Sequence, residues 1–265
     1  MMDEATLNQI DEALRERNLS VVRVEDTFNV SQGEGIMAQK AHLDPKPFMA
    51  QLSENDGTRR REIAGYVRGV KHVLLEPRHS KAGEWNFVGT VGRLMPALEV
   101  STFADGVDAV SEEPAWTLDF CGDLRWVYLI HLDRGIRVLT APQVERWGVT
   151  EDRITAGARS LLFHKTRNIT PRKIENREYV HRLHGGDGHD AARALVVADA
   201  YYTDIDSGFR FALPSPDHFI FVRNADEESL QELRAVTDEI LSETGSPLSG
   251  DIFRFETGKP VIAED

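Results

Sequence analysis

Residues 116–140 read WTLDFCGDLRWVYLIHLDRGIRVLT. Apolar and polar side chains alternate over 116–121, which is the period of a half-buried β-strand. Gly122-Asp123 fits a tight hairpin turn, because glycine supplies the positive φ required at its first central position. An apolar run follows over 124–132, and Asp133-Arg134-Gly135 turns the chain into a third strand over 136–140. Three successive strands joined by short turns predict an antiparallel meander.

Elements on both sides of this stretch set the fold class. Residues 209–213 and 218–223 flank Pro214-Ser215-Pro216-Asp217 and predict a hairpin. The segment Ala191 to Tyr202 fits a helix or a fully buried strand, and its alanines favour the helix. Strands are further predicted over 20–24 and 35–43, and helices over 3–17, 56–76, 150–162 and 226–244. The last of these helices is predicted to turn Leu230, Leu233, Val236 and Ile240 inward. Because strands and helices do not alternate regularly, the pattern predicts an α+β fold with a central antiparallel sheet, meander plus hairpin, flanked by helices.

Composition and cysteine content bound the class of protein. The 265 residues are 41% hydrophobic and 28% charged, which is ordinary for a globular chain. The single cysteine, Cys121, excludes an intramolecular disulfide and suits a reducing compartment. The first residues lack the basic and apolar regions of a signal peptide, and no apolar run approaches the ~20 residues of a membrane span. We therefore expect a cytoplasmic protein that does not enter a membrane.

The net charge restricts the partners. A formal charge of −13 repels nucleic acid and anionic membranes, so nucleic acid is not an expected partner. The same charge is compatible with a basic protein partner. Against this background, residues 58–81 contain seven Lys and Arg and only two Glu. Arg61, Arg68 and His72 are predicted on the helix face opposite the apolar stripe, where they would contact a partner.

The polar stretch 78–83 is the predicted internal boundary. It divides the chain into an N-terminal α/β subdomain with the basic helix (1–80), a main α+β domain (81–256) and a loose acidic tail (257–265).

Three stretches carry a resemblance to a known family. Residues 129–162 read LIHLDRGIRVLTAPQVERWGVTEDRITAGARSLL, residues 187–192 read DGHDAA, and residues 213–221 read LPSPDHFIF. In this order they resemble the YtpQ-like family of bacterial proteins, a domain of unknown function, over roughly 94–241. Pro216 departs from the pattern, since the family usually has arginine there. The resemblance implies an α+β fold and a cytoplasmic bacterial protein, but no reaction.

A histidine- and aspartate-rich segment is the candidate for chemistry. Residues 184–190 read HGGDGHD, and His181 lies three residues upstream. Imidazole and carboxylate groups are ligands for Zn²⁺ and similar metals, so His181, His184 and His189 are candidate metal ligands. His184, Asp187, His189 and Asp190 are candidate catalytic groups. The same residues also fit an exposed turn in which Asp190 caps the following helix.

Two functions remain open from the sequence. The first is a non-enzymatic binding or accessory protein, of the adaptor or immunity-protein kind, that acts by protein–protein contact and needs no cofactor. The absence of a coherent catalytic set and the segregation of charge favour it. The alternative is a metal-dependent hydrolase that uses the loop 181–190.

Overall fold

The computed structural model describes residues 3–33, 38–74, 86–133, 135–201 and 208–264. Helices and antiparallel sheets occur throughout, so the predicted α+β class is confirmed. The α-helices are α1 (Glu4–Glu16), α2 (Lys46–Met49), α3 (Asp56–Leu74), α4 (Phe87–Thr90), α5 (Thr102–Asp108), α6 (Ala141–Trp147), α7 (Glu151–Thr166), α8 (Val197–Tyr201) and α9 (Glu227–Glu243), with 3-10 helices at Val91–Arg93 and Ala191–Leu195. None of these described helices combines the length and apolarity that a membrane crossing needs.

The strands form three sheets. They are β1 (Ser20–Val24), β2 (Thr27–Gln32), β3 (Gln39–Leu43), β4 (Leu94–Val100), β5 (Thr117–Cys121), β6 (Leu124–Leu132), β7 (Gly135–Val138), β8 (Arg172–Lys173), β9 (His181–Leu183), β10 (Arg210–Ser215), β11 (His218–Val222), β12 (Ile252–Glu256) and β13 (Lys259–Ile262). One sheet has the order β1-β2-β3, a second has the order β13-β12-β10-β11-β9-β8, and in the third β6 pairs with β4, β5 and β7.

The chain folds into two compact units, each built from several stretches. The first unit contains Met1–Thr90, Val100–Thr117 and Leu129–Val149, and the second contains Val91–Glu99, Leu118–Tyr128 and Thr150–Asp265. The boundary predicted at residues 80 and 81 lies outside the described residues. Spatial contact defines these units rather than order along the chain, so the middle of the sequence contributes to both.

The core of the first unit lies between α1, α3 and the sheet β1-β2-β3. Leu7, Ile10 and Leu14 occupy one face of α1 at the predicted helical spacing, and all three are fully buried. The carboxylate of Asp3 accepts a hydrogen bond from the backbone N–H of Ala5, which fixes the start of α1. The local pattern and the cap therefore specify this helix together.

Strand β2 corrects the predicted order of strands in this unit. The sequence predicts one strand from 35 to 43 directly after Ser20–Val24, whereas Thr27–Gln32 forms a further strand between them. The turn before β2 contains Glu25, whose φ of 54° lies in the left-handed region. That conformation is uncommon for a residue other than glycine, asparagine or aspartate, so the turn has no clear signature in the sequence.

Helices α3 and α5 of the first unit touch through glycine. A Cβ atom on Gly69 of α3 would lie 2.8 Å from the amide nitrogen of Val107 and closer still to the carbonyl oxygen of Phe103. A Cβ on Gly106 of α5 would lie 2.7 Å from the carbonyl carbon of Tyr66. Real Cβ atoms do not come this close to backbone, so the two helices can approach only because these positions lack side chains.

The core of the second unit is built on phenylalanines of the six-stranded sheet. Phe211 lies at the centre, with its ring 5.4 Å from that of Phe219, 5.5 Å from that of Phe253 and 4.9 Å from that of Phe255. Offset aromatic pairs at these spacings add to the hydrophobic burial of each ring. This cluster joins β10, β11 and β12 through side chains as well as through the hydrogen-bond ladder.

Both predicted strand groups are present, but in different sheets. The meander strands β5, β6 and β7 form as predicted, and Gly122 has the positive φ, 60°, that its turn requires. The hairpin β10–β11 instead belongs to the six-stranded sheet. The predicted loose tail over 257–265 is wrong for Lys259–Ile262, which pair with β12 as β13. Thr257 and Gly258 make the turn, both with positive φ.

Helix α9 of the second unit is tied to the chain before β9 by one carboxylate. The side chain of Glu232 accepts hydrogen bonds from the backbone N–H groups of Glu178, Tyr179 and Val180, at 2.8, 2.6 and 3.1 Å. Burial raises the pKa of Glu232, but these three hydrogen bonds outweigh it and the pKa lies below its ordinary value. The stability that Glu232 contributes is therefore present above that ordinary pKa and is lost as the pH falls through the lowered one.

Glu232→Gln tests this tie. We expect the free energy of unfolding at pH 7 to fall by about 1–2 kcal/mol, since hydrogen bonds to a charged acceptor are the stronger kind. The difference from wild type should shrink as the pH falls through the lowered pKa of Glu232, because the wild-type carboxylate then becomes protonated. Asp238→Asn on the same helix is the control, because this exposed side chain has no such role and should change stability by less than about 0.5 kcal/mol. Urea unfolding at both pH values measures the effect, and equal losses in the two variants would contradict it.

Candidate functional site

The structure disperses the three histidines that the sequence suggests as metal ligands. The ring of His181 on β9 stacks on Phe221, and its Nδ1 lies 3.0 Å from the carbonyl oxygen of Tyr179. Burial lowers the pKa of His181. His189 is buried, with its Nδ1 2.9 Å from the carbonyl oxygen of Pro96. His184 is paired elsewhere, with Asp190.

The metal prediction is therefore not supported by the geometry. Each imidazole contacts a different group, and within the described part of the chain no set of three or more His, Cys, Asp or Glu side chains is placed to hold a metal ion. A metal site needs ligands that converge on one point at about 2 Å from the ion. The three histidines lie within ten residues, but β9 and the loop after it place each imidazole against a different group.

A buried arginine, which the sequence prediction missed, organises the loop instead. Arg193 is 1% exposed, and its guanidinium lies 3.0 and 3.1 Å from the two carboxylate oxygens of Asp187 and 2.9 Å from Oδ1 of Asp190. Gly185 makes room for it, since a Cβ there would lie 2.7 Å from the guanidinium carbon. The glycines and aspartates of the loop thus form a pocket for Arg193. Asp187 and Asp190 precede Arg193 by six and three residues, and this spacing is the signal in the sequence for an ion-paired arginine.

The charges in this pocket support each other. Burial raises the pKa of Asp187, but the hydrogen bonds and the positive charge of Arg193 outweigh it, so the pKa lies below its ordinary value. Asp190 is predicted to cap the following helix, yet its carboxylate makes no cap hydrogen bond. It accepts from the backbone N–H of Gly185 at 2.8 Å instead. The tertiary pairing with Arg193 takes precedence over the local cap.

Among the predicted catalytic residues, His184 and Asp190 are the two whose side chains hydrogen-bond to each other. Nδ1 of His184 lies 2.6 Å from Oδ2 of Asp190, and the carboxylate is buried while the imidazole is 53% exposed. A carboxylate only accepts, so Nδ1 carries the proton of this hydrogen bond and Nε2 is left toward solvent. Asp187 and His189 lack this arrangement, because Asp187 binds Arg193 and His189 is buried. The structure thus brings together two of the four candidates.

The prediction that α3 presents an exposed basic face is wrong for Arg68, and Arg61 and His72 are only partly exposed. Arg68 is only 6% exposed, and Arg61 and His72 are half-buried. The ring of His72 stands edge-on to Phe103 of α5, at 5.5 Å. Helix α5 covers the side of α3 that periodicity assigns to solvent. These three residues therefore do not form an open cationic surface.

An exposed sheet surface in the first unit was also missed by the prediction. Val22 and Val24 of β1 are 60% and 48% exposed, and Asn29 and His42 continue the row of Val22 across β2 and β3. A shallow groove of about 510 Å³ lies on this side of the sheet. We call it the β1–β3 face; it consists of Ser20, Val22, Val24, Asn29, Ser31, Lys40 and His42. A strand pattern predicts such a face but not whether another element covers it.

Comparison with known proteins gives no match: no family model fits the sequence, and no curated protein or solved structure is significantly similar to it. The resemblance to the YtpQ-like family therefore stays a prediction. Function has to be inferred from the geometry of the described residues.

Proposed function

We propose that the protein is a non-enzymatic binding protein of the cytoplasm, of the adaptor or immunity-protein kind, which holds a protein partner on the β1–β3 face. The observation that carries the proposal is the exposure of Val22 and Val24 side by side on one strand. They are two of only four large apolar side chains exposed among the described residues, the others being Val88 and Ile262. Exposed apolar side chains that cluster on one surface are typical of interaction sites.

The composition of the face supports a protein partner. Valines stand beside polar side chains, Asn29, Ser31 and His42, so an apolar centre has a polar surround. This is the anatomy of protein–protein interfaces, in which apolar burial supplies affinity and the surrounding hydrogen bonds supply register. Nδ1 of His42 already lies 3.0 Å from Oδ1 of Asn29, which holds both side chains in place before a partner binds.

A partner of net positive charge suits the chain as a whole. The net charge of −13 would attract such a partner from a distance and raise its association rate, while contact on the face would determine the dissociation rate. No observation favours the metal-dependent hydrolase, since its candidate ligands do not converge among the described residues. Binding is thus the function that the geometry supports best.

Val22→Lys tests the proposal. Lysine suits an exposed strand position, so folding should be preserved, but its charge would be buried against the partner. We expect affinity for the partner to fall at least about tenfold, which corresponds to ~1.4 kcal/mol. The measurement is capture by the tagged chain from its native host, with quantitative mass spectrometry, followed by titration of the captured protein against both chains.

Val88→Lys is the matched control. Val88 is 76% exposed, but it lies on α4 and is not part of the β1–β3 face. Val88→Lys should therefore leave capture unchanged. Equal loss in both variants would indicate a general charge effect and contradict the proposed face. Equal capture by wild type and Val22→Lys would contradict it too. A wild-type chain that self-associates, and loses this with Val22→Lys, would identify a second copy as the occupant.

A further inference from the structure

A second surface, in the second unit, has the properties of an anion site. A cleft of about 590 Å³ opens beside β8 and β9 and is lined by Arg172, Lys173, Arg182 and His184, with Asn168 and Thr170 from the preceding loop. Among the described residues that line the cleft, Glu175 is the one carboxylate. The chain carries 44 Asp and Glu against 31 Lys and Arg, so a local excess of cations is contrary to its overall balance. Its residues are distinct from the β1–β3 face.

Two arginines face each other directly in this cleft. In the antiparallel pair of β8 and β9, Arg172 is the register partner of Arg182. Side chains of directly opposed residues have Cβ atoms about 5 Å apart on the same side of the sheet, and like charges there are destabilising. His184 lies beside them, since its Nδ1 is 3.1 Å from Nη2 of Arg182. Two opposed arginines lower the stability of the sheet when no anion lies between them, which suggests that this position binds an anionic ligand.

The guanidinium groups retain unused hydrogen-bond donors. Neither Arg172 nor Arg182 forms an ion pair with any residue that the structure describes. Nη2 of Arg182 donates to the carbonyl oxygen of Asp217 at 3.1 Å, which holds the side chain in place. Nη1 of Arg182 and the guanidinium of Arg172 have no hydrogen-bond partner within the described structure. These donors line the cleft and suit the oxygens of an oxoanion.

The neighbouring loop holds the imidazole of the cleft. His184 is fixed through its Nδ1 by the buried carboxylate of Asp190, so its Nε2 is free to donate to or accept from a ligand. On the other side of the cleft, the hydroxyl of Tyr201 donates to the carbonyl oxygens of Thr166 and Ile169, which fixes the chain that leads into Thr170. Arg182 and His184 are therefore positioned by the fold before any ligand arrives, which lowers the cost of binding.

We infer that this cleft binds a phosphate-type dianion, either free phosphate or the phosphate group of a small ester. Arginine recognises oxoanions with paired N–H donors, and two guanidinium groups balance two negative charges. A monocarboxylate would leave one of the opposed arginines without a counter-charge. The inference does not rest on the proposed protein contact, because it uses other residues in the other unit.

Titration of the full chain with inorganic phosphate tests the inference. Calorimetry should show one site, with sulfate competing and acetate binding at least about tenfold more weakly, because it carries one charge. Arg172→Gln should weaken phosphate binding about tenfold to a hundredfold, the range for a charge-assisted hydrogen bond. The side chain of Arg172 is exposed and makes no hydrogen bond or ion pair with the described residues, so this variant should stay folded. Methyl phosphate binding as tightly as phosphate would indicate that an ester is accepted, and weaker binding would indicate free phosphate.

Lys259→Gln is the control, since it removes the same unit charge from β13, the opposite edge of the six-stranded sheet. It should change the phosphate Kd less than about twofold, because charges beyond a Debye length are screened at ordinary ionic strength. Thermal unfolding gives a second readout: without phosphate, Arg172→Gln should be as stable as wild type or more so, and phosphate should raise the Tm of wild type only. Absence of binding at about 10 mM phosphate, or equal losses in Arg172→Gln and Lys259→Gln, would overturn the inference.

Discussion

Gly69→Ala should destabilise the first unit by about 3 kcal/mol or more, although it adds only one methyl group. The new Cβ would lie 2.8 Å from the amide nitrogen of Val107 and nearer to the carbonyl oxygen of Phe103. Both are backbone atoms of α5, so no side chain can rotate out of the way and the helices have to separate. Overpacking of this kind usually costs about 1–3 kcal/mol, and a rigid backbone contact belongs at the upper end. Urea unfolding followed by circular dichroism measures the loss.

Gly57→Ala in the same helix is the matched control. A Cβ atom at Gly57 would contact only the side chain of Asn55, at an ordinary distance. Alanine has the better helix propensity, so the variant should be more stable by about 0.5–1 kcal/mol. Opposite signs for the same substitution in one helix would establish the α3–α5 contact. A mild or favourable effect of Gly69→Ala would show that the helices do not touch there.

Arg193→Met should cost about 3–5 kcal/mol at pH 7. Methionine fills part of the volume, but it leaves the carboxylates of Asp187 and Asp190 without the cation that neutralises them inside the second unit. Breaking a buried ion pair by removing one partner is among the most destabilising of single changes, because an uncompensated charge stays buried. The Nη1 and Nη2 bonds to Asp187 are lost together. Chemical unfolding at pH 7 measures the difference from wild type.

The pH dependence of this effect has a definite sign. In the wild type the pKa of Asp187 is lowered, so its contribution to stability is present above the ordinary value and lost as the pH falls through the lowered one. In Arg193→Met the buried carboxyl favours its neutral form, and protonation relieves the cost. The difference between the two proteins should therefore be largest near pH 7 and smaller near pH 4.

Arg159→Met controls for the loss of an arginine as such. Arg159 pairs with Asp199 in the same unit, but both side chains are about half exposed. Exposed pairs contribute about 0–1 kcal/mol, and this variant should show no more than that. If Arg193→Met is equally mild, or its cost grows on acidification, then Arg193 is not the centre of the loop.

Much of the local structure could be predicted from the sequence. The meander was predicted from alternation and from Gly122, and α1 and α9 were predicted from apolar positions at helical spacing. In the predicted apolar stripe of α9, Leu230, Leu233 and Val236 are buried and Ile240 is half-buried, and Asp226 caps the helix through the N–H of Ser229. Each of these elements is specified by residues that are close together in the sequence, so a pattern along the chain is enough to predict it.

Strands without a turn signature were harder to predict. Strand β2 follows a turn that uses Glu25 in place of glycine, and β13 follows Thr257, which also has positive φ. Their stability comes from pairing with neighbouring strands and not from a local preference. For the same reason the hairpin β10–β11 was predicted correctly as a hairpin, while its membership of a separate sheet was not.

For the candidate sites, the sequence by itself determined which chemical groups lie near each other along the chain, and only the tertiary structure decided what each group faces. The sequence placed His184 and Asp190 in one loop, but Arg193 makes that loop an ion-paired pocket and not a metal site. It marked Arg68 as basic and exposed, but the fold buries it. It could not place Arg172 opposite Arg182, ten residues away. Register, burial and charge neutralisation depend on through-space distances between segments, and a one-dimensional pattern does not contain those distances.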